Sequence, residues 1–337
     1  MKITAPDRAA LLAILERLPR QRVVVLGDLV ADEYIYGEIA RVSREAPVLI
    51  LKQREKHIVP GGGANAANNL VDLGARVILL GAVGEDESGE ALLRYFHEKQ
   101  VSTRHVERGR DFLTPTKSRI LGGLTHWPRQ QIVRVDREPA RPLAPAARRR
   151  LSRRALPFLR DSSAVLVSDY GYGTTDAREV EWLRRRKGRR PGPIMVDSRY
   201  ALLDYQHVTA AAPNEPEVEA AFGQSIGNNL ERLHLLGRKL LRRQELEALL
   251  VTRGRDGMVL FELRRAPVHL PIFGSDQAVD VTGAGDTVIA AFTLAVAAGA
   301  SFLHAAMLAN CAGGLVVMKR GTATVTPREM AEALRNA

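Results

Sequence analysis

The sequence has a single cysteine and few aromatic residues, which make up 5% of its 337 positions. One cysteine excludes an internal disulfide, and the place of Cys311 in the apolar stretch AAMLANCAGGLVVMK favours a buried thiol over a nucleophile. No apolar run reaches the roughly 18 to 20 residues of a membrane span. The N-terminus also lacks the apolar core of a signal peptide, so we expect a cytoplasmic protein without a membrane partner.

Negative charge is in short supply. The 49 lysine and arginine residues outnumber the 38 aspartate and glutamate residues, which gives a formal charge of +11. Arginine clusters at 148–154 and 184–190 are typical of solvated outer helix faces, and weak attraction for nucleic acid or other anions is the alternative interpretation. Because the aromatic residues do not interleave with these clusters, the sequence argues against nucleic acid as the ligand.

Several catalytic motifs are also missing. Neither of the glycine-rich stretches, GGGANAAN (61–68) and GAGDTV (283–288), contains the Lys-Ser/Thr of a Walker A loop or spells G-x-G-x-x-G. The histidine and cysteine residues do not have zinc-site spacing, and no G-x-S-x-G elbow occurs. The sequence therefore argues against a P-loop, a dinucleotide-binding Rossmann site, a zinc site and an α/β-hydrolase.

Alternating strand and helix patterns predict a three-layer α/β/α fold. Short runs rich in Val, Ile and Leu alternate with amphipathic stretches of helical length. This order is typical of a mainly parallel central sheet with helices on both faces, and we expect a single domain over residues 1–337. The predicted strands are 22–29, 76–84, 164–171, 193–198 and 248–254, and the predicted helices are 63–73, 88–99, 146–160, 176–187 and 229–243.

Two segments, approximately 34–59 and 112–135, interrupt this alternation with β patterning. Polar residues at alternate positions predict strands with one exposed face, so we expect a small separate sheet. A sheet beside the carboxyl ends of the parallel strands would cover a ligand crevice as a lid. Open lid edges are natural pairing surfaces, and a homodimer through the lid is one arrangement they allow.

The stretch VTGAGDT (281–287) predicts an anion site. Gly283 and Gly285 free the backbone to point N–H groups into one concavity, and the following apolar helix directs its positive dipole end there. Asp286 has two interpretations at this point. It is either a helix-capping acid or a base beside a bound phosphate group.

Two further stretches place polar groups beside this site. PGGGANAANNLVDLG (60–74) opens another helix with a glycine turn, and the Asn65 amide is suited to hydrogen-bond a hydroxylated ligand, although tight packing explains the glycines equally well. In GDLVADEY (27–34), Asp28 and Asp32 follow the first strand. Buried carboxylates need partners, and sugar hydroxyls would be suitable.

The motifs together resemble the ribokinase, or PfkB-type, family of carbohydrate kinases. The similarity covers roughly residues 20–330, and the matching stretches are GDLVADEY, PGGGANAANNLVDLGARVILLGAVGED, APNEPEVEA, LLVTRGRDGMVLFE and VDVTGAGDTVIAAF. A narrower resemblance, carried by RVSREAPVLILK, TKSRIL, LVSDYGYG and GTATVTP, is to the kinase part of ADP-heptose synthesis enzymes. The resemblance to this family implies a ribokinase-like fold, with ATP as the phosphate donor and Mg²⁺ as the cofactor.

The resemblance also implies roles for individual residues. Asp286 matches the catalytic base, and Gly283, Ala284 and Gly285 match the anion hole. Asp32, Gly61, Gly62 and Asn65 match sugar-binding positions, to which we add Asp28 and Asp169. Asn214 and Glu217 would organise magnesium and phosphates, Glu217 through water, while Thr252, Gly254 and Gly257 match the nucleotide-binding turn and Asn310 lies near the adenine position.

The leading hypothesis is phosphorylation of the anomeric hydroxyl of D-glycero-β-D-manno-heptose 7-phosphate. A phosphorylated acceptor needs basic contacts, for which the candidates are Arg41, Arg44, Lys117, Arg119 and Arg134. Exposed charges that discourage strand pairing are the alternative. Ribose, fructose, a hexose phosphate or a nucleoside are other acceptors. A non-catalytic, basic nucleic-acid-binding protein on a kinase fold is the hypothesis from another class. The stretch 122–130 is longer than the corresponding heptose-kinase hairpin.

Overall fold

The computed structural model describes residues 4–123, 130–186 and 192–337. The helices in this part of the chain are α1 (Ala5–Leu15), α2 (Gly62–Asp72), α3 (Glu87–Glu98), α4 (Pro145–Leu159), α5 (Ala177–Arg186), α6 (Glu215–Phe222), α7 (Leu230–Arg243), α8 (Ala284–Ala297), α9 (Phe302–Val316) and α10 (Pro327–Arg335). The strands are β1 (Arg22–Gly27), β2 (Leu29–Val42), β3 (Leu49–Gly61), β4 (Arg76–Leu80), β5 (Ala82–Gly84), β6 (Glu107–Gly109), β7 (Thr116–Gly123), β8 (Gln130–Arg137), β9 (Ala164–Asp169), β10 (Ile194–Ser198), β11 (Ala210–Ala211), β12 (Ala248–Thr252), β13 (Met258–Glu262) and β14 (Val268–Leu270).

The central sheet has the strand order β14-β13-β12-β11-β10-β9-β1-β4. The pairs from β12 to β4 are parallel, and the edge strands β13 and β14 are antiparallel. Successive residues of β1 point to opposite faces, so Val23 and Val25 join the core beneath α1, α2, α8, α9 and α10, while Val24 and Leu26 join the core beneath α4, α5 and α7. The predicted three-layer α/β/α class is confirmed.

One predicted strand, 76–84, is two strands in different sheets. β4 lies at the edge of the central sheet, whereas β5 pairs with β6 in a separate parallel ladder. Gly81 separates them, and a Cβ at this position would lie 2.5 Å from Leu29 Cγ and 2.8 Å from the Gly27 carbonyl oxygen. The change of sheet therefore occurs where only glycine allows the chain to pass β1 closely.

A second sheet, with the order β3-β2-β7-β8, contains the two segments that we expected to form a lid, and we refer to this sheet as the lid. Its inner face carries Asp32 next to Lys117 and Tyr34 next to Arg119 in the parallel β2–β7 register. Its other face is fastened to α3, because Lys56 Nζ lies 2.9 Å from Glu33 Oε1 and 2.7 Å from Glu87 Oε2. Most of the stretch 122–130 lies outside the described residues.

The arginine clusters form ion pairs on the helical surface. Arg150 and Arg154 of α4 both contact Glu107, and Arg184 and Arg185 of α5 both contact Glu181. Such exposed pairs contribute little stability, and they leave the formal charge of +11 unchanged because that figure already counts both partners. Residues 187–190 of the second cluster lie outside the described residues. Among the helices that are described, none is both long and apolar enough to cross a membrane.

Candidate active site

The first turn of α8 presents Asp286 in a fixed position. The helix begins after Gly283, which has a φ of +75° and makes no side-chain cap. Asp286 is only 4% exposed, and its two carboxylate oxygens accept hydrogen bonds from Asn65 Nδ2 at 2.9 Å and Tyr170 Oη at 2.8 Å. The carboxylate is therefore held by side chains of other elements and does not cap its own helix.

Burial raises the pKa of Asp286 to about 6, while the hydrogen bonds from Asn65 and Tyr170 lower it. The nearby charge of Asp32 adds to the rise, and Lys117 opposes it. Asp286 is accordingly ionised near pH 7 but takes up a proton more readily than an ordinary aspartate. These are the properties of a general base that works near neutral pH.

A polar cavity of about 570 Å³ lies in front of Asp286 and beneath the lid. Residues from the lid, from the ends of the parallel strands and from the start of α8 line it together. Cationic side chains come from the lid and from the segment after β10, while the carboxylates come from β2, β10, α6 and α8. The charged groups in its lining include Lys117, Arg119, Arg134, Arg199, Asp197 and Glu217.

Asp32 lies in this polar cavity beside two glycines that make room for it. Its Oδ1 accepts from Arg119 Nη1 at 2.6 Å, and a Cβ at position 61 would lie 2.7 Å from Oδ2. Gly62 has a φ of +52°, and a Cβ there would lie 2.8 Å from Val30 Cγ2. Gly61 and Gly62 thus let α2 begin directly against the lid strand that carries Asp32.

The three lid cations differ in their partners. The Lys117 ammonium lies 5.2 Å from the centre of the Tyr170 ring, and burial, together with the charge of Arg199, lowers its pKa. Lys117 makes no ion pair with a described residue, whereas Arg119 pairs with Asp32 and the half-exposed Arg134 pairs with Asp136 at 2.9 Å. Lys117 is therefore the lid cation best placed to meet an incoming anion.

Asp28 and Asp169, which we expected at the sugar, line neither this cavity nor the apolar one described below. Asp28 accepts the backbone N–H groups of Tyr170, Tyr172 and Thr174 at 2.8–3.0 Å. Asp169 accepts from the Gly171 N–H and from the Ser198 and Tyr205 hydroxyls. Both carboxylates accept these hydrogen bonds from the protein, and the bonds to backbone N–H groups fix the loop after β9.

Asn65 hydrogen-bonds to other protein groups through both polar atoms of its amide. It is fully buried on the first turn of α2, and its amide donates to Asp286 and, at 3.4 Å, to the Gly283 carbonyl oxygen. Its Oδ1 accepts from Asn69 at 3.1 Å. Asn65 therefore connects the two glycine turns by holding Asp286, and its predicted contact with a hydroxylated ligand stays a prediction.

Two carboxylates in the lining of the polar cavity, Asp197 and Glu217, are suited to a hydrated cation. Asn214 and Glu217 cap α6 reciprocally, with Glu217 Oε2 accepting the Asn214 N–H at 2.9 Å. Burial raises the pKa of Asp197 well above its ordinary value, and the charges of Glu217 and Asp286 add to this. Within the described ranges no three His, Cys, Asp or Glu side chains are grouped to bind a metal directly. Asp197 and Glu217 are the carboxylates here that could hold a hydrated Mg²⁺.

An apolar cavity of about 390 Å³ adjoins the polar one, and Thr252, Val281 and Gly285 line both. Its wall includes the predicted nucleotide residues Thr252, Gly254, Gly257 and Asn310, together with Met258 and Val288. Gly257 has a φ of +80°, and a Cβ there would overlap the Leu270 carbonyl oxygen. The size and apolar wall of this cavity suit a flat aromatic base.

Tyr170, Asp197 and Arg199 line the polar cavity but were not predicted individually as site residues. Tyr170 follows β9, and Asp197 and Arg199 lie at the end of β10 and directly after it. A signal existed in the sequence, because polar residues after the carboxyl ends of parallel strands are typical of ligand crevices. The stretches DYG and VDSR both have this position.

Comparison with known proteins identifies the chain. The family model for pfkB family carbohydrate kinases matches residues 20–329. The chain belongs to the pfkB family of carbohydrate kinases. It is thus a phosphotransferase that acts on a sugar hydroxyl, as the resemblance of its motifs implied.

Individual relatives agree with this assignment. The pfkB kinase is 36% identical over 331 residues to the bifunctional protein HldE of Pelobacter propionicus, covering 97% of this chain and 66% of that protein. It is 39% identical over 316 residues to the bifunctional protein HldE of Geobacter metallireducens, covering 91% and 61%. The chain therefore spans somewhat less than two thirds of the length of these relatives.

Solved structures with lower sequence identity share the fold. A ribokinase of Arabidopsis thaliana, complexed with ribose and ATP, superposes with a TM-score of 0.70 at 20% identity, covering 94% of this chain and 99% of that one. Phosphofructokinase-2 of Escherichia coli, in complex with substrates and products, gives a TM-score of 0.74 at 16% identity, covering 94% and 98%. The ribokinase-like architecture of this pfkB kinase is therefore shown.

Proposed function

We propose that this pfkB kinase transfers the γ-phosphate of ATP to the anomeric hydroxyl of D-glycero-β-D-manno-heptose 7-phosphate. One observation carries the proposal. Asp286 lies at the start of α8, held by Asn65 and Tyr170, where the polar cavity meets the apolar one. This arrangement supports a base that faces the acceptor hydroxyl, with the nucleotide base in the apolar cavity and the phosphates between them.

The start of α8 supplies the proposed anion hole. First-turn N–H groups have no partner inside their helix. The Ala284 N–H donates to the Val281 carbonyl oxygen at 3.2 Å, so the Gly285 and Asp286 N–H groups are the donors we assign to the γ-phosphate. No atom lies within 4 Å of a Cβ built at Gly285, and glycine thereby leaves room for a phosphate against the backbone.

We assign the neutralisation of phosphate charge to a bound Mg²⁺ and to the cations of the polar cavity. Bound Mg²⁺ would neutralise phosphate charge, and Glu217 and Asp197 are the carboxylates placed to hold its water ligands. The charge of Arg199 acts to lower the pKa of both these carboxyls and of Lys117. Arg199 therefore interacts electrostatically with the carboxylates and with the lid cation. We assign Arg199 to the transferring phosphoryl group and Lys117 to the acceptor.

A phosphorylated acceptor is supported by the excess of cations on the lid side. Asp32 is suited to sugar hydroxyls, while Lys117 offers an ammonium without an ion-pair partner among the described residues, and Arg119 lies beside it on the same strand. The heptose itself is supported by the sequence stretches shared with the kinase part of ADP-heptose synthesis enzymes and by the HldE relatives. A cytoplasmic location, where ATP is available, belongs to the same proposal.

The proposal includes a homodimer formed through the lid. The edge strand β8 is exposed along its whole length, and Ile132, Val133 and Val135 are between 41% and 47% exposed. An open strand edge with exposed apolar side chains is a natural surface for pairing with a second copy. Light scattering after size-exclusion chromatography tests this, and a monomer at micromolar concentration would contradict it.

An acceptor scan tests the main proposal. ADP release is measured with heptose 7-phosphate, ribose, fructose, fructose 6-phosphate, glucose and adenosine, each with ATP and Mg²⁺. We expect the highest kcat/KM for heptose 7-phosphate. A higher value for another acceptor would replace the substrate assignment while keeping the kinase, and salt-dependent DNA or RNA binding without turnover of any sugar would favour the nucleic-acid alternative.

A further inference from the structure

Tyr170 is delivered to Asp286 by a loop that the protein holds rigidly. The residue follows β9, and its backbone N–H donates to Asp28 Oδ2 at 2.8 Å. The next N–H groups of the loop donate to Asp169 and again to Asp28. Two buried carboxylates therefore fix the backbone that carries the phenol, although neither contacts the polar cavity.

Among the described residues, the Asp286 carboxylate is the one hydrogen-bond partner of the phenol hydroxyl. The hydroxyl donates to Oδ1 at 2.8 Å, while Asn65 donates to Oδ2 at 2.9 Å, so the carboxylate is gripped from two sides. Burial and the charge of Asp286 raise the pKa of Tyr170 well above its ordinary value. The hydroxyl consequently stays protonated and remains a donor over the whole working pH range.

We propose that the Tyr170 hydroxyl is a positioning group for the catalytic base, which orients the Asp286 carboxylate toward the acceptor and keeps it ionised. The inference rests on the proposed role of Asp286. A donor to the charged form of a carboxylate stabilises that form, and two donors at separate oxygens restrict rotation of the group. Tyr170 thereby opposes the burial that would otherwise protonate the base.

The electrostatic surroundings of Asp286 make this donor necessary. Asp32 on β2 bears a like charge that favours protonation of Asp286, and Lys117 on β7 opposes it. Asp286 in turn raises the pKa of Asp197, which lies within β10. Lys117 also lies over the Tyr170 ring. Removal of the hydroxyl alone keeps that ring contact, so its effect is confined to the hydrogen bond with the base.

The test compares Tyr170→Phe with Tyr172→Phe. Both changes remove one phenol hydroxyl from the same loop, but that of Tyr172 donates to the exposed Glu138 at 2.7 Å and does not line the polar cavity. In Tyr170→Phe we expect kcat at pH 7 to fall about tenfold, the usual effect of losing a hydrogen bond to a charged group. The acidic limb of the kcat profile should move up by about one pH unit, with acceptor KM changed less than about threefold.

Tyr172→Phe should leave both kcat and the acidic limb unchanged. Thermal melting of both variants checks folding. If Tyr170→Phe turns over like Tyr172→Phe while Asp286→Asn is inactive, the inference is overturned and the base assignment stands. Near-normal turnover of Asp286→Asn would overturn both.

A double variant separates action through the base from a general structural effect. In an Asp286→Asn background, Tyr170→Phe should change the residual rate less than about twofold, because the base it positions is already gone. A further tenfold loss in that background would show that Tyr170 acts independently of Asp286, which contradicts the proposal.

Discussion

Asp28 and Asp286 are both buried aspartates beside the carboxyl ends of the parallel strands, yet their surroundings give them opposite roles. Asp28 is 1% exposed and accepts three backbone N–H groups, which occupy most of its acceptor capacity. Asp286 is 4% exposed and accepts only two side-chain donors, and it lines the polar cavity. Burial alone thus does not identify a functional acid; the remaining open lone pairs do.

The comparison also explains the division of labour between the two regions. Burial raises the pKa of both carboxyls, but the backbone donors to Asp28 are permanent parts of a loop. The Asp28 carboxylate holds a loop in place. The Asp286 carboxylate is itself held by two side chains and also lines the polar cavity. Substitutions at the two positions should therefore separate activity from stability.

The largest expected effect is that of Asp286→Asn on turnover. Asparagine can still accept from Asn65 and donate to the Tyr170 oxygen, so the variant should fold. Loss of the base should lower kcat at least about a hundredfold in steady-state ADP release. Near-normal kcat would return Asp286 to a structural role and would remove the contrast with Asp28.

Asp286→Asn should also stabilise the protein above pH 6. Because burial raises the pKa of Asp286 to about 6 from 3.8, the folded state binds more protons than the unfolded state between about pH 4 and 6, so stability falls as pH rises through that window. Asparagine avoids this loss, and denaturant melts at pH 8 should show a gain of about 2 to 3 kcal/mol. An equal gain at pH 3 would contradict the explanation.

A smaller effect is expected from Lys117→Ala, which tests the side of the cavity that faces the acceptor. KM for a sugar phosphate should rise about tenfold or more, since a charge-assisted contact is lost, while KM for an unphosphorylated sugar should change little. Arg134→Ala is the comparison within the same cavity, and we expect a smaller rise in KM for the sugar phosphate because Arg134 is half-exposed and already paired with Asp136. Equal effects on both classes of acceptor would remove the phosphate contact from Lys117.

The smallest effect on turnover is expected from Asp28→Asn. An amide cannot accept all three backbone N–H groups, and one buried donor left without a partner destabilises by about 1 to 3 kcal/mol. Unfolding in urea should show this loss, whereas kcat of the folded enzyme should stay within about fivefold of wild type because the loop retains two of its anchors. A kcat loss as large as that of Asp286→Asn would make the two aspartates equivalent.

Much of the central sheet was predictable because several of its strands are buried on both faces and show as uninterrupted apolar runs. The strands β11, β13 and β14 lie in none of the predicted ranges. β1, β9, β10 and β12 all lie within the predicted ranges. The break at Gly81 was not predictable, since the need for glycine there is imposed by Leu29 and Gly27 across the sheet. The contact of Tyr170 with the base was not predictable either, because the phenol hydroxyl donates to Asp286, a residue 116 positions away.

The sequence by itself determined the elements of the site: a glycine turn that opens an apolar helix with an acid on its first turn, a second glycine turn, and polar residues after the strands. Tertiary structure alone decided which acid is open to a ligand. The donors that hold Asp286 come from 221 and 116 positions away, whereas those that saturate Asp28 come from a loop more than 140 positions along the chain. Hydrogen bonds depend on distance in space, and only the folded chain brings these groups together.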